Sequence, residues 1–186
     1  LAAHPGAEVR READRLIAPA FVDCHVHYPQ TGVIASWGAQ LIDWLNRYTF
    51  PEEARFGDPE IARAAARAFF DEQLRNGYAT CASFCTIHPE SVDAFMEEAQ
   101  ARGLRAIGGK VMMDRNAPPA LLDEAERGAA DSAALIERWH GRGRLGVAIT
   151  PRFAPTSSEA QLEATWALAR AHPDCLIQTH LSENNA

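Results

Sequence analysis

Lysine is almost absent from this chain of 186 residues: Lys110 stands alone among 18 lysines and arginines. Aspartate and glutamate together number 25, the net charge is −7, and no basic cluster interrupts that balance. That balance argues against a nucleic-acid-binding surface. The lysine shortage itself reads as coding bias. No apolar run approaches the roughly 20 residues of a membrane span, and the first residues lack the pattern of a secretory signal. The four cysteines, Cys24, Cys81, Cys85 and Cys175, form no Cys-x-x-Cys pair. Three of them fall in predicted strands, so free buried thiols in a reducing compartment are expected, which points to the cytoplasm. No Gly-x-Gly-x-x-Gly and no Walker-type loop follows any predicted strand, which counts against a nucleotide-binding open sheet.

What is present is the composition of a globular protein, 47% apolar and 23% charged, long enough for one sizeable core or most of one. The chain starts without a methionine and stops just past a strand-like segment, so it reads as a piece of a longer protein. Residues 1–20 are polar and punctuated by Pro5, Gly6 and Pro19, as expected of the end of a preceding element and a linker. From there residues 21–186 alternate regularly. Strands are expected at 21–27, 78–84, 104–113, 145–150 and 175–180. Helices are expected at 58–76, opened by Asp58-Pro59 and closed by Gly77; at 89–103; at 131–140; and at 158–171, where Ser158 and Gln161 suggest a capping box. Between the first strand and the first of these helices lies a long excursion, 28–57. Its Trp37, Leu41, Trp44 and Leu45 suggest a short amphipathic helix, and its length suggests a flap over a site.

Strands alternating with helices over short connections make a parallel sheet. An open doubly wound sheet and a closed eight-stranded (β/α)8 barrel both satisfy that pattern. In the barrel, chemistry sits at the C-terminal ends of the strands, and His25, His27, Arg152 and His180 all fall at or just past such ends. Five units amount to about five-eighths of a barrel of typically 250 residues.

The first strand, Phe21-Val22-Asp23-Cys24-His25-Val26-His27, ends in two histidines one residue apart. Strict alternation gives them one face, with Asp23 beneath them as an acceptor for an imidazole N–H. His180, ending the fifth strand, brings a third neutral nitrogen to the same mouth, a set that suits a catalytic zinc or iron ion. Glu183 follows in the loop and could carry a proton from metal-activated water to a leaving group. Arg152 and Phe153 suggest a planar, carbonyl-bearing ligand, since a guanidinium can read a purine O6/N7 edge and a ring can stack. Gln30 adds an amide that both donates and accepts. His4, His88, His140 and His172 receive no role.

Four segments carry a resemblance. They are 21–30 (Phe-Val-Asp-Cys-His-Val-His-Tyr-Pro-Gln), 109–116 (Gly-Lys-Val-Met-Met-Asp-Arg-Asn), 150–156 (Thr-Pro-Arg-Phe-Ala-Pro-Thr) and 178–184 (Gln-Thr-His-Leu-Ser-Glu-Asn). Together they resemble the amidohydrolase superfamily, and within it the branch that deaminates guanine. The resemblance implies a metal-dependent hydrolase barrel with a small β-sandwich fed by residues 1–20. It implies one zinc (iron being the alternative) on His25, His27 and His180, and Glu183 as the proton carrier. Gln30, Arg152 and Phe153 would hold guanine, and the working unit would be a homodimer. Ala20 stands where the family usually has glycine. The family's remaining metal-site histidine and aspartate would lie beyond residue 186. A deaminase of another purine, a pyrimidine or a triazine stays open, as does a barrel without turnover. The fourth strand lacks the lysine of a dinuclear site, and the Pro-Cys-x-x-Cys pattern of cytidine-type zinc deaminases is absent.

Overall fold

The computed structural model describes residues 3–38 and 40–182. Residues 3–20 form turns and extended chain without a helix or strand. Among the described residues six strands follow: β1 (Phe21–His27), β2 (Tyr78–Phe84), β3 (Arg105–Gly109), β4 (Val111–Met112), β5 (Leu145–Pro151) and β6 (Leu176–Ile177). Every pairing is parallel, β1 with β2, β2 with β3, β3 and β4 both with β5, and β5 with β6. Because β4 carries the β3 ladder on past Lys110, the strands neighbour one another in chain order and the order never reverses. A doubly wound sheet needs a reversal; a barrel wall does not. This is a curled sheet forming part of a (β/α)8 barrel.

Six α-helices accompany it among the described residues: α1 (Leu41–Trp44), α2 (Phe50–Glu53), α3 (Pro59–Arg75), α4 (Pro89–Ala101), α5 (Ala125–Trp139) and α6 (Glu159–Ala171). The last four pack side by side in sequence order, α3 on α4, α4 on α5 and α5 on α6. Local chemistry fixes their ends. The Asp58 carboxylate accepts the Glu60 N–H at 2.9 Å, Pro59 supplies a pre-set first turn, and Gly77 ends α3 at φ +83°. Between these helices and the sheet lies the larger core, with Tyr28, Phe56, Phe69, Phe70, Phe95, Met96 and Ile149 at its centre. A second apolar cluster, including Leu45, Phe50, Phe84, Met113, Leu121 and Phe153, caps the C-terminal ends of the strands.

Several boundaries differ from the sequence expectation. The strand expected over 104–113 is broken at Lys110. Gly109 there lies so close to β5 that a Cβ would come within 2.0 Å of the Ala148 carbonyl oxygen. The helix expected at 131–140 begins at Ala125, with Glu124 as its N-cap in extended conformation and the Glu124 N–H bonded to the Asp123 carboxylate at 2.9 Å. The strand expected at 175–180 pairs only at Leu176–Ile177. The chain then rejoins β5 through a Gln178 N–H bond to Ile149 and a bridge between Phe153 and His180. In place of one amphipathic helix, the 28–57 excursion holds a 3-10 turn (Tyr28–Val33), α1, a π turn (Leu45–Thr49), α2 and a second 3-10 turn (Ala54–Gly57).

β1 carries the most consequential departure. Three residue steps from Asp23 to Val26 face only two steps, Cys81 to Ser83, on β2. One residue too many is a β-bulge, and it shifts the alternation by one. Asp23 therefore turns towards the helices, where its Oδ2 accepts from Gln73 Nε2 of α3 at 3.3 Å and its Oδ1 from the His25 backbone N–H at 3.2 Å. Its charge also helps to push the buried Cys81 thiol up to about 12, burial being the larger cause. Asp23 is not the imidazole acceptor that strict alternation predicted. Cys24, expected to be buried, is exposed, while Cys81, Cys85 and Cys175 are buried and all four are free.

Among the described residues no helix is long and apolar enough to cross a membrane.

Candidate active site

Three imidazoles meet at the mouth of the curled sheet. His27 ends β1, His25 sits within the bulge of the same strand, and His180 reaches them from the bridge beyond β6. One ligand atom from each lies within 4.8 Å of the other two. His27 Nε2 and His180 Nε2 are 2.9 Å apart. The sequence reading did not identify what holds them there. Phe84, the last residue of β2 and paired with His27, places its buried ring against all three. Ring centroids are 4.6 Å from His27 in a stack, 4.2 Å from His180 and 5.1 Å from His25.

Hydrogen bonding fixes the tautomers. His180 Nδ1 lies 2.7 Å from the Arg152 carbonyl oxygen, which can only accept, so Nδ1 carries the proton and Nε2 the lone pair. His27 Nε2 must then donate to His180, which leaves His27 Nδ1 as a buried acceptor without a partner. Burial above all, then the Arg152 guanidinium and the other two imidazoles, holds the His27 pKa well below its ordinary value. A neutral imidazole pair sharing one proton, with an orphaned nitrogen, suits a cation that would take both Nε2 lone pairs and move the proton to Nδ1. The donor set thus fits a zinc-like ion.

Beside the histidines lies a cavity of about 180 Å³, lined by His25, His27, Gln30, Trp44, Arg152 and Phe153 among others. It is below the range of about 300–1,000 Å³ for drug-sized ligands and suits a small ring system. A larger hollow of about 460 Å³ reaches His27 and Gln30 from the outer side of β1, but its walls are mostly apolar and include no second imidazole. Arg152 follows β5 and is held by its backbone N–H to the Met112 carbonyl. The 109–116 and 150–156 segments are joined further along by Arg115 to Ala154 and Asn116 to Pro155. That seam positions Arg152 and Phe153 at the mouth.

Glu53, which the sequence reading passed over, lies behind the cavity at 0% exposure. Arg152 Nη1 donates to its Oε2 at 2.6 Å and Nη2 to its Oε1 at 3.2 Å, and Gln30 Nε2 donates to Oε1 at 3.1 Å. The Phe50 ring lies 5.3 Å beneath the guanidinium carbon. Glu53 ends α2, four residues into a run that begins Phe50-Pro51, and nothing in its local pattern separates it from Glu52. Glu183 lies outside the described residues.

The ladder order and the strand-end histidines are those of a (β/α)8 barrel with a metal-type cluster at its mouth. Residues 16–186 match the amidohydrolase family, and the chain belongs to it. It is 52% identical to the guanine deaminase of Escherichia coli K12 over 176 residues, 95% of this chain and 40% of the relative. A crystal structure of guanine deaminase from Bradyrhizobium japonicum superposes with a TM-score of 0.96 at 42% identity, covering 99% of this chain and 40% of that one. One from C. acetobutylicum with guanine bound in its active site gives 0.86 at 30% identity, over 90% of this chain and 40% of that one. The chain spans about two-fifths of the length of the curated relatives it matches.

Proposed function

We propose that the protein containing this chain is a guanine deaminase, replacing the 2-amino group of guanine by oxygen from water to give xanthine and ammonia. The observation that carries the reading is the meeting of three imidazoles with Arg152, Phe153 and Gln30 around one small cavity. His25, His27 and His180 would hold a single zinc ion. When bound, such an ion activates water for attack on carbon near neutral pH. The chain's own residues do the remaining work assigned to this segment. Arg152 donates to the O6/N7 edge of the base, Phe153 offers a ring face, and Gln30 meets the base with its amide. Glu183 carries the proton from water to the departing ammonia. Phe84 and the apolar cluster around it exclude bulk water from the mouth. Residues 1–20 are the lead-in from a small β-sandwich, and two copies form the working assembly. The small-molecule partner is guanine itself.

Ammonia release by the full-length enzyme tests the assignment. It is expected to be fastest with guanine, with adenine and cytosine as poor substrates; equal or faster turnover of either would overturn it.

A further inference from the structure

We propose that Glu53, which lines no part of the cavity, is the positioning residue that sets base selectivity, by fixing the hydrogen-bonding faces of Gln30 and Arg152 together. The inference rests on the substrate reading above and deepens it.

The geometry makes one carboxylate the common anchor of both side chains. An amide can present either its oxygen or its NH2, and a small rotation exchanges them. Gln30 has no such choice, because its Nε2 donates to Glu53 Oε1 and the reverse orientation would set a carbonyl oxygen against a carboxylate. The amide oxygen is thereby turned away from Glu53, and Gln30 lines the cavity together with Arg152. Arg152 has five N–H groups, of which two are given to Glu53. Three remain, enough for two bonds to a base edge. The site consequently offers an acceptor beside a set of donors. A lactam, with a ring N–H next to a carbonyl, complements that pattern. A 6-amino purine does not, since its ring nitrogen is an acceptor and its exocyclic group a donor facing the guanidinium. Leaving such buried groups unpaired is what makes hydrogen-bonding sites selective.

Glu53 has no exposure to solvent, and its partner Arg152 only 3% on its side chain. Water is therefore not available to substitute for the carboxylate.

The test compares guanine with 2,6-diaminopurine, which keeps the same 2-amino leaving group and changes only the face at N1 and C6. In the full-length zinc-loaded enzyme, Glu53→Gln lets the Gln30 amide turn and removes the charge and one of the two acceptors that hold the guanidinium. The expected result is a guanine KM raised about tenfold or more with a smaller change in kcat, a guanine-to-diaminopurine preference lowered about tenfold, and zinc content retained. In a Gln30→Ala background the same substitution should cost noticeably less selectivity. Wild-type KM and preference in a folded, zinc-bound Glu53→Gln enzyme overturn the proposal. If Glu53→Gln does not fold, Glu53→Asp decides instead: it keeps the charge and withdraws it by one methylene. It carries the same expectation for KM and preference, and wild-type values would again overturn the proposal. Failure of the parent enzyme to prefer guanine over 2,6-diaminopurine would instead sink the guanine reading, which separates the two outcomes.

Discussion

At the scale of single residues, Phe84 does for the histidines what Glu53 does for the polar side chains. Its ring touches all three imidazoles, and it is itself 1% exposed. Truncating it to alanine would leave a void beneath the imidazoles and free the rings to rotate. Phe84→Ala is expected to lower melting stability by about 3–5 kcal/mol and to reduce zinc retained after gel filtration, measured by atomic absorption. Phe84→Leu, which refills most of the volume, should recover stability more than zinc, because it lacks the flat face on which His27 stacks. Equal recovery of both would show that the ring only fills space.

Among the elements, β3 and β5 approach each other closely at Gly109. A methyl group on Gly109 would stand 2.0 Å from the Ala148 carbonyl oxygen and 2.3 Å from Thr150 Oγ1. Neither neighbour yields easily, one being backbone and the other a hydroxyl bonded to Ala148 and Gln178. Gly109→Ala is expected to destabilise by about 1–3 kcal/mol or more, read as a shifted denaturation midpoint. It should also disturb guanine turnover, since the displaced strand end leads into the seam that carries Arg152. Gly103→Ala is the contrasting case. Its Cβ would meet nothing within 4 Å, so any cost there comes from its φ of +66° alone, and turnover should be spared.

Over the whole molecule, the decisive feature is a sheet with two open edges among the described residues, β1 at one side and β6 at the other. The side chains along these edges are apolar and exposed: Phe21 at 61%, Val22 at 58%, Leu176 at 57% and Ile177 at 50%. Unpaired strand edges of this kind template association. The isolated 186-residue chain is expected to self-associate, giving a light-scattering mass above its 20.4 kDa. A full-length protein of the kind its relatives represent should not do so through these strands. A monodisperse monomer of the isolated chain would show that the edges are covered in another way.

Periodicity and end signals were enough to place most elements, because they are local: the Asp58-Pro59 start and Gly77 stop of α3 lie where the sequence puts them. The histidine pair and the Arg152-Phe153 motif were legible for the same reason, each being a short run at a strand end. What depended on residues far apart in the chain was not legible. The bulge in β1 comes from its register against β2, and it sent Asp23 away from the histidines that strict alternation had assigned it to. The ion pair that joins Asp123, just ahead of α5, to the buried Lys110 is likewise a contact between separated residues that no local pattern marks. Glu53 and Phe84 carry no local mark at all; one gains its meaning from Arg152, 99 residues on, and the other from His180. The sequence by itself determined which groups this protein has for its chemistry. Only the tertiary structure decided which of them face one another, because a buried carboxylate or ring acquires its role from neighbours that the order of the chain does not place beside it.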